Sequence, residues 1–178
     1  RPPITAPTPL IIGAIVPTKL IIEPMLDASV PNITRRGPIA ATNKPIVATT
    51  IAFSDQTIKP IDKLLYMNQE LFLMIENTVS VELLCQLFAT QLTTSGERHL
   101  LNPNRTYYKL LRQVTMEGQK AGLFKDGLSV NDITRAYAMF ERGLMYDWCI
   151  SSGSYSLCQQ AQTMMPMFLE GLRKKEAN

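Results

Sequence analysis

Residues Ser129–Ser154, SVNDITRAYAMFERGLMYDWCISSGS, decide the fold class. Ile133, Ala136, Tyr137, Phe140, Leu144, Met145 and Trp148 recur at intervals of three and four, which is one broad face of an α-helix. Ser129 and Asp132 stand three residues apart, a hydroxyl and a carboxylate able to satisfy the first free amides of that helix. Ser151, Ser152 and Gly153 close it. A face this wide and aromatic must be covered, and the later segment able to cover it is a helix from about Ser156 to Lys175. Gly143 costs about 1 kcal/mol against Ala in a helix interior, which predicts close approach of a neighbouring backbone. Two consecutive helices with large apolar faces, carrying Phe140, Leu144, Trp148, Met164 and Phe168, either pack only on each other or form a surface joining two identical subunits.

Moving toward the amino end, the helical grammar continues to residue 61. The spacing predicts helices over Ile61–Glu76, Val79–Leu92 and Asn104–Ala121, the last opening at Asn102–Pro103 and closing at Gly122. Pro166 lies inside the final helix, where it removes a backbone hydrogen bond and predicts a kink. The basic run Arg173, Lys174, Lys175 suits the negative end of that helix's dipole. The result is an all-α domain over 61–178.

Residues 1–60 read differently. They hold ten of the twelve prolines and are dense in Ile, Thr and Ala, so neither helix nor sheet is comfortable there. Runs such as PLIIGAIV are nevertheless too apolar for ordinary disorder. The charge is also uneven: six basic residues against three acidic ones lie in 1–60, and twelve against twelve in 61–178, so the whole excess of +3 sits in the first third.

Composition excludes several chemistries. Cys85, Cys149 and Cys158 show no paired metal-ligand spacing, and His99 is the only histidine, so neither a zinc site nor a Cys-His nucleophile is expected. Asp126, Asp132, Glu141 and Asp147 read as solvated charges on helix faces, which leaves no catalytic constellation and no cofactor. The longest apolar runs fall short of a membrane span, and the expectation is a soluble, cytoplasmic protein with no membrane partner.

Four segments taken together resemble the carboxy-terminal domain of TetR-family transcriptional regulators: MEGQKAGLF at 116–124, SVNDI at 129–133, FERGLMYDWCISSGSYSL at 140–157 and FLEGL at 168–172. The resemblance covers roughly 61–175. It implies a TetR-like helical bundle whose last two long helices form the dimer face, with a three-helix DNA-binding domain in the position of residues 1–60. It also implies a ligand-responsive repressor: a homodimer that binds operator DNA through its amino-terminal regions and releases it when a small apolar effector enters among the helices of 61–150. The candidate lining residues are Met67, Leu71, Phe88, Tyr107, Leu111, Met116 and Met139, mostly apolar with one phenol for orientation.

The first third departs from the family pattern. A tyrosine and phenylalanine should stand near the end of a recognition helix with a lysine soon after, whereas this chain has ATTIAFSDQTIK at 48–59 and no tyrosine before residue 66. A written sequence that does not describe the natural domain, through a shifted frame or misassigned letters, is favoured here over a proline-rich arm. The competing functional expectation is a helical interaction module without DNA contact, in which residues 1–60 dock a partner.

Overall fold

A computed structural model describes residues 57–174. The readings of residues 1–56, including the choice between an arm and three helices, lie outside the described residues. The described part contains five α-helices: α1 Pro60–Thr78, α2 Val81–Thr93, α3 Thr106–Lys120, α4 Val130–Ile150 and α5 Leu157–Leu172, with a 3-10 turn at His99–Leu101. There is no strand among the described residues, only an isolated bridge between Phe124 and Arg173. The all-α expectation holds.

The helix starts follow from local chemistry. Pro60 opens α1, where its missing amide proton is not needed. Ser80 and Ser156 accept from the amides of Leu83 and Gln159 at the starts of α2 and α5. At α4 the Ser129 hydroxyl accepts from the Asp132 amide at 3.1 Å, and the Asp132 carboxylate accepts from the Ser129 amide at 3.0 Å, a reciprocal box. Helix α3 departs from expectation. It does not open at Asn102–Pro103, because the Asn102 side chain accepts from the Asn104 amide at 2.9 Å and holds a turn, delaying the helix to Thr106.

Pro166 lies within α5, which continues to Leu172. A Cβ at Gly143 would meet nothing within 4 Å, so no backbone of the described chain approaches there; the residue faces outward. Within the basic carboxy-terminal run, Lys174 also makes specific contacts. The Lys174 ammonium pairs with Asp126 at 2.8 Å, and its amide donates to the Leu123 carbonyl at 2.9 Å, while the Lys125 amide donates to Leu172. These contacts lash the α3–α4 turn to the end of α5. The turn is anchored from the other side by Phe124, whose ring fills the space that a side chain at Gly118 would need.

Helix α1 packs along α5 and across α3, and α4 packs against α2, α3 and α5. Leu64, Phe72, Ile75, Leu111, Ile133, Tyr137, Leu157, Met165 and Leu169 are fully enclosed between these layers. Each large apolar side chain so buried contributes roughly 1.5–3 kcal/mol. The α4–α5 turn is fixed by Gly153 at φ +68°, where a Cβ would sit 2.7 Å from a Val81 methyl carbon and 3.5 Å from the Trp148 ring.

One carboxylate ties the end of α1 to the start of α5. Glu76, near the end of α1, accepts from the amides of Leu157 at 2.7 Å and Cys158 at 3.0 Å, and from the Ser156 hydroxyl at 3.3 Å. It supplies negative charge at the amino end of α5, where free amides and the dipole favour an anion. Glu76→Ala is therefore expected to lower stability by about 1–2 kcal/mol, measured as a reduced urea midpoint at constant m-value. Glu76→Gln should recover part of that loss.

Candidate functional site

The core of the bundle is not wholly apolar. Glu141 on α4 is 2% exposed, in phase with the buried Ile133, Tyr137, Met145 and Trp148 of the same helix. One of its oxygens accepts from Asn68 Nδ2 on α1 at 2.9 Å and the other from the Tyr107 hydroxyl on α3. Thus α1, α3 and α4 meet at one carboxylate. Tyr137, one turn before Glu141, donates from its hydroxyl to the Leu64 carbonyl on α1 at 2.6 Å. Outside this centre, Arg142 Nη1 donates to the Tyr108 hydroxyl at 2.6 Å, and that hydroxyl donates to the Leu100 carbonyl at 2.9 Å.

This arrangement corrects the reading of Glu141 as a solvated charge. Burial raises its carboxyl from 4.5 to about 7, against the opposing pull of the Asn68 and Tyr107 hydrogen bonds and the Arg142 charge. The same burial, followed by the nearby Glu141 charge, pushes the Tyr107 and Tyr137 phenols well above their ordinary range, so both remain neutral donors. Burial lowers the Arg105 guanidinium, with repulsion from Arg142 adding to the shift. Chemically the centre is a carboxyl that exchanges charge near neutrality and accepts hydrogen bonds inside an apolar shell. Such a group can orient a donor or a cation at the end of an apolar molecule. Among the described residues no group of three His, Cys, Asp or Glu could hold a metal ion.

The sequence-derived lining set divides. Met67, Leu71 and Leu111 are buried in the core cluster that surrounds the polar centre, and Tyr107 reaches the centre itself. Phe88 is partly buried, its ring edge-on to Tyr146 at 6.1 Å. Met116 and Met139 are 43% and 55% exposed, on the outer faces of α3 and α4, and are not brought together with the others. Asn68 and Glu141 were not in the set. The signal for Glu141 was its position one turn after Tyr137 and one before Met145; Asn68 has only the same kind of phase, between Leu64 and Leu71.

The residues assigned to the subunit face also divide. Phe140 and Phe168 stack on one another at 4.6 Å with planes 11° apart, joining α4 to α5 within one chain, and both are partly buried. Leu144 and Met164 are likewise partly buried. Trp148 is 5% exposed, its indole donating to the Tyr155 carbonyl at 2.8 Å, so it offers a second subunit almost no surface. Among the residues α4 turns outward are Met139, Gly143, Tyr146 and Ile150, at intervals of four, three and four, beside the polar Arg135 and Asp147; α5 turns out Met167 and Gly171 beside Gln162, Thr163 and Glu170.

The TetR C-terminal family described as YsiA-like protein, C-terminal region, matches residues 46–171. No curated protein and no solved structure matches the chain.

The Glu141 carboxyl carries a sign that can be measured. Its pKa is higher in the folded chain than the ordinary 4.5, so its contribution to stability is full below about pH 4.5 and is lost as pH rises through about 7. The shift corresponds to about 3 kcal/mol. Urea unfolding between pH 4.5 and 8 is expected to show wild type losing that much relative to Glu141→Gln, the difference between the two curves isolating the Glu141 contribution.

Proposed function

Because the chain belongs to the TetR-type family with a YsiA-like C-terminal region, we propose that it is a ligand-responsive transcriptional repressor that works as a homodimer on operator DNA. The single observation that carries this reading is the family match over 46–171, which spans all five described helices up to Gly171. Residues amino-terminal to α1 hold the position of the DNA-binding domain, and residues 61–178 form the ligand-binding and dimerisation domain. The protein is a regulator and not an enzyme, and it resides in the cytoplasm. No single helix among the described residues is long and apolar enough to cross a membrane.

In this reading a small, mostly apolar effector enters beside Met67, Leu71, Tyr107 and Leu111 and takes a hydrogen bond from the Glu141 centre. Met116 and Met139, on the outer faces of α3 and α4, take no part in it. The effector needs only a greater affinity for one of two arrangements of α1. Helix α1 is the element to move because it contacts the centre through Asn68 and Leu64 and leads directly into the amino-terminal region.

The dimer forms through α4 and α5. Phe140, Leu144, Met164 and Phe168 border the face, with Trp148 supporting it from beneath, and Met139 and Met167 supply exposed apolar area. Gly143 and Gly171 each have open space where a Cβ would stand, room for the backbone of a second copy to come close. Four helices, two from each copy, would cover these surfaces.

A second reading rests on a specific feature, the ten prolines of residues 1–60. It is a helical interaction module without DNA contact. Retention on DNA as a function of salt separates the two, since phosphate contacts weaken steeply as salt rises. The repressor reading expects salt-sensitive retention; its absence favours the module. The dimer has its own test. Sedimentation of the wild-type chain is expected to give twice the monomer mass, and Met167→Glu combined with Gly143→Glu to give the monomer with its helical circular dichroism intact.

A further inference from the structure

The regulator reading makes no use of the three thiols, and two of them meet. Cys85 on α2 and Cys149 on α4 stand 64 residues apart in sequence, yet Cys85 Sγ lies 4.0 Å from the Cys149 carbonyl oxygen, which sets the two residues side by side. Both are partly exposed, whereas Cys158 is buried, its sulfur 4.0 Å from the Gln69 carbonyl oxygen on the other side of the bundle. The backbone around the pair is fixed: Cys149 is in the last turn of α4, one residue after the indole that anchors the Ser151–Tyr155 turn, and Cys85 follows the buried Leu84. Helix α2 buries only Leu84, Leu87 and Gln91 and is packed chiefly on α4. It is the helix whose attachment a covalent link would change most.

We propose that Cys85 and Cys149 are an oxidisable pair that forms an intramolecular disulfide when the protein meets a peroxide, fixing α2 to α4. Two thiols converge from separate helices at a solvent-reachable place, which is the arrangement that favours a crosslink over stepwise over-oxidation. One thiol of the pair, as its thiolate, attacks the peroxide: an S–O bond forms, the O–O bond breaks, and water leaves, giving the sulfenic acid. The second sulfur then attacks the first; the S–S bond forms, the S–O bond breaks, and the second thiol's proton leaves with the hydroxide as a second water. One peroxide is reduced and two thiols are oxidised in sum. No metal and no second oxidant is required.

The test uses the full reduced chain exposed to hydrogen peroxide, with intact-mass measurement, thiol alkylation and non-reducing peptide mapping. The expected result is loss of two hydrogens, two of the three thiols blocked from alkylation, a peptide pair joined through Cys85 and Cys149, and full reversal by dithiothreitol. Cys158→Ser should behave as wild type does. Cys85→Ser and Cys149→Ser should each yield no intramolecular crosslink. Mapping on the wild-type chain keeps the test decisive if a variant folds poorly. A disulfide that includes Cys158, a bond between chains, sulfinic acids without a crosslink, or three thiols that stay alkylatable would each overturn the assignment.

Discussion

A carboxylate enclosed by apolar side chains must either give up its charge or collect donors, and Glu141 does part of each. Its two oxygens draw Asn68 from α1 and Tyr107 from α3 to a single point on α4. Hydrophobic burial has no direction and would accept many relative rotations of three helices. Hydrogen bonds to one carboxyl accept few, because a helix turned out of register would leave a donor or acceptor unpaired at a cost of about 1–3 kcal/mol. The polar centre therefore acts as a register pin for the bundle, while Leu64, Phe72, Leu111, Ile133 and Leu169 supply most of the driving force around it.

Helix α1 carries most of the directed contacts. Its Asn68 amide and Leu64 carbonyl reach α4, and its buried Lys63 pairs with Glu117 of α3 at 2.8 Å. Glu76, at its far end, caps α5. Among the described residues, α3, α4 and α5 each hold α1 by a polar contact. In the proposed regulator this is the physical basis of signalling: a ligand that competes for donors at Glu141 changes what holds α1, and α1 is the helix joined to the amino-terminal region. Met67 and Leu71, buried one on each side of Asn68, place apolar surface beside the same centre.

Much of the bundle was legible in the letters because its signals are local. The Ser129–Asp132 box, Ser156 and the three-and-four spacing place all five helices to within two or three residues. What was not legible at α3 was its opening, since Asn102 can serve a turn as well as a helix and the sequence does not say which. Site residues were harder still. Met116 and Met139 are apolar, yet each stands two residues from a buried neighbour, Val114 and Tyr137, and two residues turn a helix most of the way round to its opposite face. Trp148 and Glu141 shared one phase, so an inward Trp148 and a buried Glu141 were a single fact that residue type concealed. Gly143 was expected to meet a neighbouring backbone; among the described residues none approaches it, because the residue faces outward.

The account rests on a carboxyl that is held inside the bundle and titrates near neutrality. Carbon-13 NMR of the glutamate carboxyl groups, followed from pH 3 to 9 in wild type and in Glu141→Gln, tests this directly. One resonance, absent from the variant, is predicted to titrate near pH 7 and to shift when Tyr107→Phe removes its donor. A Glu141 resonance that titrates in the ordinary range near 4.5 would mean a solvated side chain, and would contradict both the register pin and the ligand centre built upon it.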